Sequence, residues 1–429
     1  MTVWECMRYA VEHSHGLRQR ALQLDNAKAT RSQAIGSFLP SVGASISGQL
    51  NFGRAIDPET NTYTNVSTLG SGYGLQASLP LFDGLYRLHA LRAARADVLM
   101  QKNALQAARD QVALQTYQAF IEVVYAREAT RLASEKLSDS ELLLRQTRTL
   151  EEEGLKSPAD VAQIQAQLAA DALTLTQQEN QAATAMLKLK EVMGWELNDA
   201  LSVKADAYSQ TEHFTLHTSL SEQQQAIYTV KAARHSVGTA RAAFYPTLSL
   251  SGGVNSSYYR NLDAAGATSF GRQLKNNLGE WVGLSLSIPL FNRLSNLTAL
   301  RRAKNNLRIA EEQCAEKMTE LEVMRRQAHL DLDTNAKEIT QSQAKVEADS
   351  LAYELVRRQF TEGLASPVEV QTAATTLLQS RAALLQHRLL RGVRQLQVGY
   401  YDGESLVPEG LHRLCEESSS AHRSPSIIR

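Results

Sequence analysis

Two spacings of apolar side chains run along the chain, and each predicts its own kind of secondary structure. The first spacing is seven residues, and it occurs in two long series: Leu91, Val98, Leu105, Val112, Ala119, Ala126 and Ala133, and then Leu300, Leu307, Cys314, Leu321 and Ala328. Apolar residues at this spacing are typical of helices that pack side by side in coiled coils. The first series predicts one helix over 84–152, which would be about 100 Å long at 1.5 Å per residue.

The second spacing is two residues, and it predicts four β-strands. Apolar and small polar residues alternate over 41–52, 72–80, 247–258 and 281–289. Strands of about ten residues are long enough to cross a membrane when tilted. The polar loop over 53–70 that joins the first two fits the extracellular side of an outer-membrane barrel. A small soluble sheet with one wet face remains the alternative at this point.

The chain is an internal duplication. Three landmarks recur: Phe38-Leu39-Pro40 as Phe244-Tyr245-Pro246, the stretch Ser78–Arg95 as Ser287–Lys304, and Glu153–Val161 as Glu362–Val370. The last two pairs share a spacing of 209 positions, so the segment between them keeps its length in both copies. Because a long helix tolerates insertions less well than a loop does, we interpret this segment as one rigid element present twice.

The duplication predicts the domain organisation. The first repeat covers 1–195, with a helix near 16–37, two strands, the long helix 84–152 and a return helix over 158–195. The second repeat covers 225–400, with a helix near 225–243, two strands, the long helix 293–361 and a return helix over 367–399. We expect residues 196–224 and 401–429 to form a mixed collar, with a loose tail at the end.

The number of strands predicts an oligomer. Four strands cannot close a barrel, and an open sheet edge is not stable in lipid. Two chains would give eight strands, whose interior is filled by side chains, whereas three chains would give twelve strands and a lumen. The expected fold is therefore an α+β membrane protein, and three chains are the smallest assembly that leaves a usable pore.

Composition and charge exclude several classes of protein. The 45 basic and 45 acidic side chains balance, which argues against a nucleic-acid partner. The three cysteines, Cys6, Cys314 and Cys415, have no disulfide or metal-site spacing.

No apolar run is long enough for a helical membrane span, and the first residues do not resemble a signal peptide. Either the protein stays in the cytoplasm or a signal preceded this sequence. The residues before Cys6 do not fit a lipid-attachment site.

The duplicated motifs together resemble the TolC-like outer-membrane efflux proteins. The resemblance rests on the FLPS-type motif, the Pro-Leu-Phe turn into a long helix and the Glu-Gly-Leu-x-Ser-Pro turn, all present twice, and it covers roughly 3–403. It implies a homotrimer that closes a twelve-stranded barrel in the outer-membrane lipid, with a long antiparallel coiled-coil barrel of helices in the periplasm. It also implies docking to a periplasmic membrane-fusion adaptor and an inner-membrane pump, such as an RND or ABC transporter, for export of small molecules or proteins.

The two Glu-Gly-Leu-x-Ser-Pro turns are the candidate sites. Glycine can end the long helix in the left-handed conformation, serine can cap the next helix, and proline suits its first position. The leucines have no obvious core to join, and the resemblance implies that these turns meet the adaptor. The predicted docking residues are Gly154, Leu155, Ser157, Pro158, Gly363, Leu364, Ser366 and Pro367.

Two acidic residues, Asp160 and Glu369, follow the turns and have two possible roles. In a trimer they would form a ring of like charges at the periplasmic aperture, which would raise their pKa and attract cations. Alternatively, each stabilises the positive N-terminal end of its own helix.

The sequence contains no catalytic motif, so an enzyme is not expected. The Gly-x-Gly-x-x-Ala pattern at 72–77 lies inside a predicted strand, which is the wrong context for a dinucleotide site. His13 and His15 have no third ligand nearby, so no metal site or cofactor is predicted. The alternative to a channel is a soluble structural coiled-coil oligomer whose strands form a small β-sheet.

Overall fold

The computed structural model describes residues 1–57, 61–65, 67–204, 220–263 and 268–404, and within them the chain has an α+β fold. The elements are α1 (Val3–His13), α2 (His15–Gly36), β1 (Ser41–Asn51), β2 (Arg54–Asp57), β3 (Thr62–Asn65), β4 (Thr68–Phe82), α3 (Tyr86–Glu152), α4 (Pro158–Met193), α5 (Ser221–Ala242), β5 (Thr247–Asn261), α6 (Phe270–Asn276), β6 (Gly279–Ser287), α7 (Ser295–Thr361) and α8 (Pro367–Asp402). Residues 205–219 of the predicted collar, and 405–429 with the predicted loose tail, lie outside the described residues.

The described residues form two compact units, and each unit draws on both repeats. The first contains the described parts of Met1–Gln23, Lys102–Gln225 and Ala315–Arg429. The second contains those of Leu24–Gln101 and Ala226–Cys314. The units therefore cut across the sequence repeats, because α3 and α7 contribute residues to both.

The second unit contains a four-stranded antiparallel sheet in the order β1-β4-β5-β6. Its register places the alternating apolar residues opposite one another, as in the row Leu79–Leu250–Leu284. Because side chains alternate between the faces of a sheet, these rows form one apolar face. Much of that face is exposed in the single chain, including Ile46 at 79% and Val282 at 81% of their surface.

The loops between the strands contain more structure than expected. The prediction of a plain polar loop over 53–70 was wrong, because β2 and β3 pair there and β4 begins at Thr68. The loop between β5 and β6 carries the short helix α6. Its Gln273 donates to the carbonyl of Tyr259 and accepts from the backbone N–H of the same residue.

Both long helices are continuous, and both begin two residues later than predicted, at Tyr86 and Ser295. The residues just before them are left-handed, with φ of 70° at Leu85 and 64° at Leu294, so the helix cannot start earlier. Every residue of the two heptad series is buried or half-buried. The seven-residue spacing therefore marks the packed side of each helix.

The N-terminal helix α1 is held by a capping box, in which Thr2 and Glu5 exchange hydrogen bonds. Its buried side chains recur at helical spacing from Val3 to Val11, and Trp4 contacts Tyr117 of α3 at 6.3 Å between ring centroids. No helix among the described residues combines the length and the apolar content that a membrane-crossing helix requires.

Candidate docking and aperture site at the hairpin turns

The two Glu-Gly-Leu-x-Ser-Pro motifs form matching turns in the first unit. We call α3, α4 and the turn between them hairpin 1, and α7, α8 and their turn hairpin 2. Gly154 and Gly363 are left-handed, with φ of 77° and 75°. The next residue in each turn closes the helix end, since the N–H of Leu155 donates to Leu150 and that of Leu364 donates to Gln359, both at 2.8 Å. The glycines therefore end the long helices as the sequence predicted.

Each returning helix begins with a capping box. The hydroxyl oxygen of Ser157 accepts from the N–H of Asp160, whose carboxylate accepts from the N–H of Ser157 at 2.9 Å. Ser366 and Glu369 form the same arrangement. Pro158 and Pro367 occupy the first helical position, where no N–H is needed.

The capping boxes set the charge state of the two acidic residues. Hydrogen bonds from the backbone N–H and then the hydroxyl of the capping serine lower the pKa of Asp160 and of Glu369, and the Lys156 ammonium lowers both further. Within one chain the pKa of each acid is therefore lowered, whereas like charges in a ring would raise it. Each acid therefore caps its own helix, and its place at a periplasmic aperture stays a prediction.

The leucines of the two turns are among the most exposed apolar side chains of the described residues. Leu155 is 67% exposed and Leu364 is 77% exposed. Beneath them lies a buried cluster that joins the two hairpins: Leu143, Leu144, Val161, Ile164, Phe360, Ala365 and Val370. Each leucine therefore extends from a firmly packed base rather than from a loose loop.

Lys156 connects the two turns. Its ammonium donates to the carbonyl of Ala365 at 3.1 Å and lies 5.2 Å from the centre of the Phe360 ring. The same charge acts on Asp160 and Glu369. One cation thus holds the turns together and partly neutralises the two acids that follow them.

A buried polar network joins the two hairpins farther from the turns. It consists of Lys136, Ser140, Gln167, Asp171, Gln371 and Thr375 from α3, α4 and α8. The carboxylate of Asp171 is only 3% exposed and pairs with the Lys136 ammonium at 2.8 Å. It also accepts from Ser140 at 2.6 Å and from Gln371 at 2.9 Å. Nearly all of its acceptor capacity is used, as a buried charge requires.

Neither Lys156 nor the Asp171 network was predicted from the sequence, although the alignment of the two repeats contains a signal for both. Lys156 is the variable position of the duplicated turn and aligns with Ala365. Ser140 and Asp171 align with Asp349 and Ser380, so the acid and the hydroxyl have exchanged places between repeats. Such an exchange is expected when the two positions are in contact.

The family model for outer membrane efflux proteins matches residues 7–195 and 222–399, which together are most of the chain. The chain belongs to the outer membrane efflux protein family. This membership confirms the resemblance drawn from the duplicated motifs. Members of the family are channels and not enzymes, so of the two functions left open by the sequence, the family favours the channel.

Similar proteins match more than nine-tenths of this outer membrane efflux protein. The probable outer membrane lipoprotein SilC of Salmonella typhimurium is 23% identical over 406 residues, which cover 91% of this chain and 83% of SilC. The Campylobacter jejuni CmeC outer membrane channel matches with a TM-score of 0.81 at 18% identity, covering 97% of this chain and 89% of that one. The outer membrane protein VceC of Vibrio cholerae matches with a TM-score of 0.78 at 18% identity, covering 94% and 96%.

Two weaker sequence motifs have structural roles in this family member. The Gly-x-Gly-x-x-Ala pattern lies within β4, as predicted, and opens no helix. His13 ends α1, with its ring stacked on Tyr9 at 3.8 Å, while His15 begins α2. Among the described residues, no cluster of three or more His, Cys, Asp or Glu side chains could hold a metal ion.

We expect the charge of the capping acids to stabilise the hairpin turns in a pH-dependent way. Since their pKa values are lowered on folding, this stabilisation is complete above the ordinary carboxylate pKa and is lost as the pH falls through the lowered values. The double variant Asp160→Asn with Glu369→Gln should therefore unfold at lower urea concentration than the wild type at pH 7. As the pH falls through these lowered values and the wild-type acids become protonated, the two midpoints should converge. A difference that stays constant over this range would contradict the role of the charge.

Proposed function

We propose that three copies of this chain form a passive exit duct through the outer membrane and the periplasm. The proposal rests on the four-stranded sheet. Among the described residues, β1 and β6 each pair on one side only, and the apolar face of the sheet is exposed. In lipid, unpaired strand edges must find partners, and three such sheets would close one twelve-stranded barrel. The apolar face would then meet the outer-membrane lipid.

The helices would continue the duct into the periplasm, where the hairpin turns would dock to a membrane-fusion adaptor. The sequence has no phosphate-binding loop, so the energy for export would come from an inner-membrane pump such as an RND or ABC transporter. Small molecules or proteins would then leave the cell through the lumen.

Adaptor docking predicts a specific effect of the exposed leucines. Changing both Leu155 and Leu364 to Asp should abolish co-purification of the detergent-extracted particle with its native adaptor, because a carboxylate cannot enter an apolar contact without a partner. The particle itself should remain intact, since both side chains are exposed in the single chain.

The matched control is Glu153→Gln with Glu362→Gln, which alters the charge of the same two turns and spares the leucines. This variant should co-purify with the adaptor as the wild type does. Undiminished adaptor capture by the leucine variant would show that docking occurs elsewhere.

A ring of acids at the periplasmic aperture predicts modest cation selectivity. Asp160 and Glu369 would contribute two negative charges per chain, and Lys156 would offset part of them. In single-channel recordings across a salt gradient, Glu369→Gln should shift the reversal potential toward that of an unselective pore. Glu362→Gln, which lies outside the capping box, should shift it less. An unchanged reversal potential and unchanged cation block in Glu369→Gln would place this residue outside the pore.

A further inference from the structure

The short helix α6 lies against the apolar face of the four-stranded sheet. The Phe270 ring lies 5.9 Å from the Tyr73 ring of β4 and 5.2 Å from the Tyr258 ring of β5, measured between centroids. The buried hydroxyl of Ser256 donates to the carbonyl of Leu274 at 2.7 Å. Tyr73 pairs with Ser256, and side chains alternate along each strand, so Tyr73, Ser256 and Tyr258 all belong to the apolar face.

Side chains from the same segment also complete the edge of β5. The described pairing of β6 with β5 ends at Asn255. Beyond that point, Gln273 donates to the carbonyl of Tyr259 and accepts from its N–H, both at 2.9 Å. Asn277 donates to the carbonyl of Ser257 at 2.8 Å. Both aromatic and polar contacts therefore fix α6 to the sheet.

The position of α6 along β5 corresponds to one edge of a membrane-spanning band. The strand runs ten residues from Leu248 to Tyr258, which is roughly 33 Å at 3.3 Å per residue. With the tilt usual in outer-membrane barrels, this length spans about 25 Å, the height of their apolar band. Such barrels carry a girdle of aromatic side chains at each edge of the band, and Tyr73, Tyr258 and Phe270 would belong to it.

Three basic side chains surround this aromatic group: Arg260, Arg272 and Lys275. Arg260 lies on the same face of β5 as Tyr258, two residues farther toward the loop. Arg272 and Lys275 follow Phe270 by two and five residues, so the helical spacing directs them away from the sheet. All three side chains are exposed, and none of them forms an ion pair with another described residue.

Two nearby acids leave the charge of this patch positive. Asp263 already accepts a hydrogen bond from the backbone N–H of Ser67 at 2.6 Å. Glu280 of β6 stands opposite Val254, which is four residues deeper along β5 than Tyr258. The three cations outnumber these two carboxylates, so the patch is complementary to an anion.

A cation on a lipid-facing surface is stable at the level of the headgroups, where it can pair with phosphate. We propose that Arg260, Arg272 and Lys275 bind the phosphate groups of an anionic lipid in the outer leaflet. The acyl chains would then lie on the exposed apolar face next to α6, over Leu75 and Val254. The inference rests on the outer-membrane barrel of the proposed function, since that barrel turns this face toward lipid.

The second repeat alone carries the basic residues of this site. The repeat counterparts of the three cations are Asn51, Tyr63 and Val66, and none of these side chains is charged. The loop of the first repeat contains the β2–β3 pair where the second has α6. Each chain would therefore bind one such lipid, and a particle of three chains would bind three.

Native mass spectrometry of the detergent-extracted particle, titrated with diphosphorylated lipid A, tests the site. The variant Arg272→Gln with Lys275→Gln should bind this lipid about thirtyfold more weakly than the wild type, because each cation at an anionic membrane surface contributes roughly fivefold. The matched control is Arg308→Gln with Lys337→Gln, which removes the same charge from exposed positions of α7. This control should bind the lipid as the wild type does.

Two further titrations identify the group that is bound. Lipid A without its phosphates should bind the wild type as weakly as diphosphorylated lipid A binds the glutamine variant. Inorganic phosphate in large excess should leave the lipid in place. Displacement of the lipid by inorganic phosphate would assign the patch to free phosphate and would overturn the lipid site.

The same spectra separate this inference from the proposed function, because they also count chains. Equal lipid binding by the wild type and the glutamine variant, in particles of three chains, would overturn the inference alone. A particle that holds a single chain would overturn the shared barrel, and the inference with it.

Discussion

Replacing Asp171 with leucine should destabilise hairpin 1 by roughly 3–5 kcal/mol, the usual cost of removing one partner from a buried ion pair. The Lys136 ammonium is only 12% exposed and would lose its counter-charge. Ser140 and Gln371 would lose their shared acceptor at the same time. Hydrogen exchange in the detergent-extracted protein should therefore show much faster opening of α4 near residue 171.

The second repeat supplies the control for this prediction. The double exchange Ser140→Asp with Asp171→Ser would give hairpin 1 the arrangement of Asp349 and Ser380, in which the lysine pairs with an acid on its own helix. Exchange rates in α4 should then stay close to those of the wild type. If the double exchange were as harmful as Asp171→Leu, the equivalence of the two arrangements would be wrong.

Changing Gly84 to alanine should be the most damaging single methyl addition in the turn between β4 and α3. Gly84 has φ of 65°, and an added Cβ would lie 2.6 Å from the carbonyl oxygen of Ala242 and 2.8 Å from the Cβ of Tyr245. Neither atom can move without shifting backbone. We expect a loss of about 2–5 kcal/mol, from the left-handed conformation plus overpacking.

The variant Gly154→Ala measures the stability lost to the left-handed conformation alone. Its φ is 77°, but no atom lies within 4 Å of the added Cβ. We expect about 1–2 kcal/mol from this variant, so thermal unfolding followed by circular dichroism should rank Gly84→Ala as clearly less stable. The repeat counterpart of Gly84 is Arg293, an exposed residue with φ of 56°, which shows that the conformation itself tolerates a side chain. Equal losses from the two glycine variants would mean that the close approach to Ala242 has no cost.

The sequence predicts those parts of the fold that depend on local or periodic signals. The heptads and the capping motifs predicted the last residues of α3 and α7 correctly. A left-handed glycine and an N-cap serine act within one turn of the chain, so residue type alone indicates where the helix ends. The helix starts were two residues off because Leu85 and Leu294 are left-handed, which no propensity indicates for leucine. Strand β4 extends back to Thr68 because it pairs with β1 and β5, and such pairing is decided far away in the sequence.

The same distinction applies to the candidate site. The roles of Gly154 and Ser157 in the turn follow from residue type alone. The contact of Lys156 with Ala365 joins residues 209 positions apart, and the Asp171 network joins three helices. Contacts of this kind depend on how helices pack, so only the comparison of the two repeats could have indicated them.

One chain has too few strands to close a barrel, so we propose that three chains share one. Native mass spectrometry of the detergent-extracted particle tests this claim most directly, because it counts chains. We expect three chains in each particle and no stable single chain in buffer without detergent. A monodisperse single chain in plain buffer would contradict it.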